Sequence, residues 1–169
     1  MNHIRIRPME LADASRAAEI HVFGWRNAYR GIVSDEILFK RMGVAKSTER
    51  FADGICNNAF ESYVYEDGII KGFMTIGPCR DKNMEDFFEL WGIYIDPFMQ
   101  GQGIGAKMVD FCETTARQRG YKKVYLWVLE DNTDARGFYE KMGYTPDGAR
   151  QFLDSLGAWE VRYCKGLCI

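Results

Sequence analysis

The chain has 169 residues, enough for one hydrophobic core and too few for two ordinary domains, so a single domain over residues 1–169 is expected. Its 24 acidic and 22 basic residues supply no sequence-wide basic field, which excludes nucleic acid as the main partner while leaving single basic groups free to hold a small anion. The opening MNHIRIRPMELADA lacks the apolar stretch of a secretory signal, and no apolar run approaches bilayer-spanning length, so a cytoplasmic protein without a membrane partner is expected. Cys56, Cys79, Cys112, Cys164 and Cys168 are odd in number and form no CxxC motif, so they read as reduced thiols, with Cys164 and Cys168 as packing or terminal residues. His3 and His21 are the only histidines, and no metal is expected.

In chain order, HIRIR alternates apolar and polar residues as a short strand stopped by Pro8. From Met9 the spacing of Leu11, Ala14, Ala17, Ala18, Ile20 and Val22 predicts a helix, and one or two further helices lie between Ser34 and about Asn58. SYVYEDGIIKGFMTIGP holds two β-rich runs around Asp67 and Gly68, a hairpin signal. FFELWGIYID is a longer strand closed by Pro97. Gly103 to Arg119 reads as an amphipathic helix, KKVYLWVL as a buried strand, Asp134 to Met142 as a helix stopped by Gly143, and AWEVRYCKG as a final strand. This order predicts an α/β (α+β) architecture, a mixed sheet with helices on its faces.

Residues 100–106, QGQGIGA, place three glycines before the amphipathic helix. Glycine lets a backbone approach an anion closely, and the free N–H groups opening a helix point at it. A tight turn that binds nothing has the same spacing. A Walker loop is excluded because GxxxxGK[ST] is absent. Gly101, Gly103 and Ala106 satisfy the dinucleotide fingerprint GxGxx[GA], but Asp96 to Gln100 separate the strand from the first glycine and the motif lies past mid-chain.

Gln100, Gly103 and Gly105 also fit QxxGxG, and NTDARGFYEKMGY fits NxxAxxFYxxxGF through Asn132, Ala135, Phe138, Tyr139 and Gly143, with Tyr144 in place of phenylalanine. At these two ordered motifs the chain resembles the GNAT family of acetyl-CoA-dependent N-acetyltransferases, most strongly from about Phe87 to Tyr144, and the resemblance implies that family's fold: a single mixed, mostly antiparallel central sheet of about six to seven strands flanked by helices on both faces. The resemblance implies that Gln100, Gly101, Gln102, Gly103, Ile104, Gly105 and Ala106 cradle the coenzyme A pyrophosphate, with Asn132 on the pantetheine or adenine side. It implies that Tyr94 and Ile95 pair with pantetheine and that the backbone N–H of Ile93 meets the oxyanion. Asparagine before a helix also serves as an N-cap.

Acetyl transfer to an amine needs a neutral amine, an oriented thioester, oxyanion stabilisation and a proton for the thiolate. Glu89 is the first choice for general base, at the position where the histone acetyltransferase branch keeps one, and a strand glutamate that faces solvent or pairs across the sheet is the plainer alternative. Tyr139 is the candidate general acid, at a position where many members carry tyrosine, with packing beside Phe138 as its other reading. Trp25 and Tyr29 fall in the segment that lines the family's acceptor pocket. Glu85 and Asp86 read as a solvated acidic face. The expected acceptor is a primary amine of a small molecule or peptide, with a homodimer allowed. A coenzyme A-binding sensor without turnover is the alternative, distinguished by its indifference to loss of Glu89 and Tyr139.

Overall fold

The computed structural model describes residues 4–81 and 84–167, so His3 and Cys168 lie outside the described residues. Strand β1 (Arg5–Pro8) leads through a short 3-10 turn into helix α1 (Ala14–Ala28). That corner is fixed by Asp13, which accepts from the Glu10 backbone N–H at 2.8 Å and from both terminal nitrogens of Arg7 at 2.6 and 3.0 Å. A π-helical turn over Glu36–Arg41 and helix α2 (Val44–Cys56) fill the segment where one or two helices are expected. The hairpin follows as β2 (Glu61–Asp67) and β3 (Ile69–Pro78), then β4 (Phe87–Ile95), α3 (Ile104–Gln118), β5 (Lys123–Leu129) and α4 (Thr133–Lys141). The chain closes with β6 (Thr145–Leu153) and β7 (Ala158–Gly166).

The seven strands form one mixed sheet in the order β1-β2-β3-β4-β5-β7-β6, antiparallel throughout except for the parallel β4–β5 pair. Strand β6 is the element whose position the sequence does not mark: Pro146, Asp147 and Gly148 are poor strand formers, and it lies at the sheet edge with most residues exposed.

Period-2 alternation sends neighbouring residues to opposite faces. Val64 and Phe73 pack under α1 and α2 with Ala17, Ala18, Ile20 and Phe51. Their neighbours Tyr65 and Met74 join Phe88, Leu90, Met108 and Val124 under α3 and α4. Helices therefore cover both faces, and the β4–β5 junction lies mid-sheet between them. Among the described residues no helix is long and apolar enough to cross a membrane, and no cluster of His, Cys, Asp and Glu is arranged to hold a metal.

Candidate active site

Strands β4 and β5 pair only at Phe87–Glu89 against Lys123–Tyr125 and then part. A bulge starts the separation. Ile76 faces Leu90 while Thr75 faces Gly92, so Trp91 is the extra residue on β4, and an extra residue bends its strand. The antiparallel ladder decides which β4 groups the opening exposes. Asp96 N–H donates to Lys71 C=O at 2.9 Å, and alternation from that pair commits Tyr94 and Gly92 to β3. The backbone N–H and C=O groups of Ile93 and Ile95 therefore point away from β3, into the gap left by β5. For Tyr94 the expectation needs correction: its backbone belongs to the β3 ladder, and its ring stacks on Phe73 with centroids 5.2 Å apart.

The glycine loop closes one end of this gap. Gly101 and Gly103 have φ of +76° and +73°, in the left-handed region that suits glycine, and a Cβ at either would meet nothing within 4 Å. Gly103 is the N-cap of α3 and supplies no side-chain cap, so the first N–H groups of the helix face open space. Gly105 serves differently: a Cβ there would lie 3.0 Å from the Phe138 ring and 3.3 Å from Ile95, so this glycine lets α3 pack closely on β4 and α4. Gln102 departs from expectation, because it is exposed and outside the cavity wall, with its amide 3.8 Å from Met99 Sδ. The other predicted loop residues line the cavity.

A cavity of about 950 Å³ joins the loop, the opened β4 edge and the end of α1. Tyr139, from α4, is only 7% exposed and lines it. Burial, followed by the Tyr94 and Cys112 charges, pushes its phenol up, so the hydroxyl keeps its proton across the ordinary pH range. Asn132 lines the cavity and also caps α4, its Oδ1 accepting from Ala135 N–H at 3.2 Å. Trp25 and Tyr29 meet edge to face at 4.9 Å and form the α1 wall. Glu85 and Asp86 are exposed and outside the wall.

Glu89 lies in the wall with its side chain 1% exposed and both carboxylate oxygens engaged. Arg80 Nε reaches them at 3.1 and 3.0 Å, its Nη2 donates to Oε1, and its backbone N–H donates to Oε2 at 3.0 Å. The same guanidinium lies over the Trp91 ring, 4.4 Å from its centroid. Glu89 is therefore held as a paired anion at the base of the opening. Removing Arg80 leaves that anion buried and unpaired, so Arg80→Ala is expected to cost about 2–3 kcal/mol, softened by the half-exposed position of Arg80. Thermal unfolding should report a drop of several degrees, and Glu89→Gln, which buries no charge, should cost less.

A family profile described as "Acetyltransferase (GNAT) family" matches residues 35–144, and the chain belongs to that family of acyltransferases. An N-acetyltransferase of Bacillus subtilis described as uncharacterized, YuaI, is 26% identical over 144 residues, covering 85% of this chain and 80% of its own. The "probable N-acetyltransferase" Rv2775 of Mycobacterium tuberculosis is 28% identical over 150 residues, covering 87% and 83%. Among solved structures, the PaiA N-acetyltransferase from Thermoplasma acidophilum, in complex with coenzyme A, superposes with a TM-score of 0.74. It covers 95% of this chain and 98% of its own at 19% identity, a likeness of fold.

Two residues of the site carry no motif. Arg80 sits in the connection before β4, and its partner Glu89 is nine positions on, so pairing appears only once the β3–β4 register is known. Glu160, on β7, lines the cavity and belongs to a strand whose sequence reads only as β. Alternation along AWEVRYC groups Trp159, Val161 and Tyr163 on one face and Glu160 with Arg162 on the other, so the sequence reads Glu160 as an outward-facing residue and carries no signal for its place in the cavity.

Proposed function

We propose that the chain is an acetyl-CoA-dependent N-acetyltransferase that moves the acetyl group to a primary amine by direct attack. The observation that carries this reading is the convergence, in one cavity, of an uncapped helix N-terminus and a β4 edge whose Ile93 and Ile95 backbone groups turn away from β3 and, among the described residues, lie beyond the pairing with β5. The open N–H groups of Ile104, Gly105 and Ala106 suit a pyrophosphate, and the β4 edge offers strand-type hydrogen bonds to an amide-bearing arm such as pantetheine. Bound acetyl-CoA supplies the thioester to be attacked.

The chain's own groups divide the work as follows. Ile93 N–H is an oriented donor for a developing oxyanion, a role in which one donor is worth on the order of a hundredfold in rate. Tyr139 keeps its proton and gives it to the departing sulfur. Trp25 and Tyr29 wall the acceptor end. Glu89 fixes Arg80 against Trp91.

Calorimetric titration with acetyl-CoA, with NADH as control, tests the cofactor half of the reading. Saturable binding of acetyl-CoA alone is the expected result, followed by amine-dependent thiol release in a screen of alkylamines, diamines and peptide N-termini. Binding of neither ligand would leave residues 100–106 as a turn and overturn the proposal.

A further inference from the structure

The acceptor end of the cavity needs a group that attracts an alkylammonium and removes its proton, because only the neutral amine attacks a thioester. Four carboxylates lie in the cavity wall: Asp81, Glu89, Asp134 and Glu160. Three are otherwise occupied or misplaced. Asp81 accepts from Trp127 Nε1 at 3.2 Å and lies 3.3 Å from Arg162. Glu89 is clasped by Arg80. Asp134 is exposed in the first turn of α4, at the end of the cavity shared with Asn132. Glu160 is half-buried and, among the described residues, forms no salt bridge; its Oε1 accepts from Gln151 Nε2 on β6.

Strand register puts Glu160 beyond the point where β4 and β5 part. Glu89 pairs across β5 with Tyr125, the last β5 position still joined to β4, so it marks the base of the opening. Glu160 pairs with Leu129, four positions further along β5, and Ile93 lies four positions beyond Glu89 on β4. Trp91 is the extra residue of the bulge, so Ile93 stands three ladder steps beyond Glu89, while Glu160 lies on β7 beside the free end of β5, past the point where β4 and β5 part. Packing ties Glu160 to the acceptor end: its cross-strand partner Leu129 and its same-face neighbour Ala158 belong to one apolar cluster against which Trp25 and Tyr29 pack, and Tyr29 and Glu160 line the same cavity. Trp25, edge to face with Tyr29, adds an aromatic wall suited to a cation.

We infer that Glu160 is the residue that docks the acceptor's ammonium group and accepts its proton, and that the acceptor is accordingly an alkylamine delivered as its cation. This rests on the amine-acetylation reading above. The step balances as follows. One ammonium proton passes to the Glu160 carboxylate. The amine lone pair forms the C–N bond as the C–S bond breaks, Tyr139 protonates the departing sulfur, and the proton then shed by nitrogen restores Tyr139. Glu160 returns its proton to solvent.

The groups facing Glu160 set the direction of its pH response. Burial raises its carboxyl first, the Gln151 hydrogen bond and the Arg80 charge oppose that, and the Asp81 and Glu89 charges reinforce it. From α1 it faces Tyr29, which stays neutral; Arg162 on β7 is bound to Asp147 and Asp81, and Arg150 on β6 to Glu130. The net direction is upward, so acetyl transfer should fall on acidification at a pH above the ordinary glutamate value, as Glu160 takes up a proton.

The test compares the unsubstituted chain with Glu160→Gln, which preserves the shape and a hydrogen bond to Gln151. Transfer is measured across pH to benzylamine and diaminobutane and to the aminooxy counterpart of each, which is already neutral near pH 7. Expected results are a loss of about a hundredfold for the alkylamines at neutral pH, narrowing as the pH rises, and a loss below about tenfold for the aminooxy acceptors. Acetyl-CoA affinity should be unchanged. Equal losses for both acceptor types, or none for either, would overturn the assignment while leaving the enzyme reading intact. Acetyl-CoA binding with no transfer by the unsubstituted chain to any amine of either kind would instead overturn the amine reading and this inference with it.

Discussion

Gly103→Val is expected to weaken acetyl-CoA binding on the order of a hundredfold while leaving the sheet and its helices in place. Gly103 has φ of +73° and caps α3 without a side chain. A β-branched residue held in that region costs about 1–3 kcal/mol, so the loop relaxes toward negative φ and turns the first N–H groups of α3 away from the cavity. Charge-assisted hydrogen bonds to phosphate are worth about 1.5–3 kcal/mol each, and loss of one or two accounts for the expected factor. A Cβ at Gly103 meets no protein atom within 4 Å, so crowding within the fold contributes nothing. Gly31 makes the control, with φ of +82°, equal open space around it and no part in the cavity wall. Gly31→Val should carry a similar backbone cost and bind acetyl-CoA normally. Calorimetry on both variants checks this, and equal binding by Gly103→Val and the unsubstituted chain would remove the loop from the site.

What the sequence disclosed follows from how local each determinant is. Left-handed glycines before an amphipathic helix are a local pattern, and Gly101 and Gly103 adopt the expected conformation. The hairpin around Asp67 and Gly68, the strand ending before Pro97 and the final strand over Ala158–Gly166 are likewise set by short-range alternation and turn residues. Gly105 belongs to the same motif and yet serves packing, because its neighbours Phe138 and Ile95 come from other elements.

The rest depends on pairings between distant residues. The bulge at Trp91 exists only in relation to β3, and it decides that Ile93 and Ile95, rather than Tyr94, present free backbone to the cavity. In the sequence Glu89 reads as a candidate base or a surface strand residue; the Arg80 clasp that occupies it becomes visible only when the β3–β4 connection folds back. Glu160 stands beyond both motifs, on a strand added after the family profile ends at residue 144. Its place beside the opening comes from the β5–β7 register.

Tyr139→Phe is expected to lower turnover about a hundredfold with acetyl-CoA affinity unchanged, the pattern of a group that acts in the transition state. The substitution is clean. The ring remains to pack edge to face on Phe138 at 5.2 Å and on Tyr144 at 6.0 Å, so stability should stay within about 0.5 kcal/mol. A packing role therefore predicts almost no loss, and a proton-donor role predicts a large one, which makes the variant decisive. Because burial pushes the Tyr139 phenol up, the acid form is present at neutral and moderately alkaline pH, and the unsubstituted enzyme should show no alkaline loss of activity from this group below about pH 10. Steady-state kinetics across pH, combined with titration of acetyl-CoA, separates these outcomes. Turnover by Tyr139→Phe close to that of the unsubstituted chain would reduce Tyr139 to a packing residue and leave the thiolate to be protonated by water in the cavity.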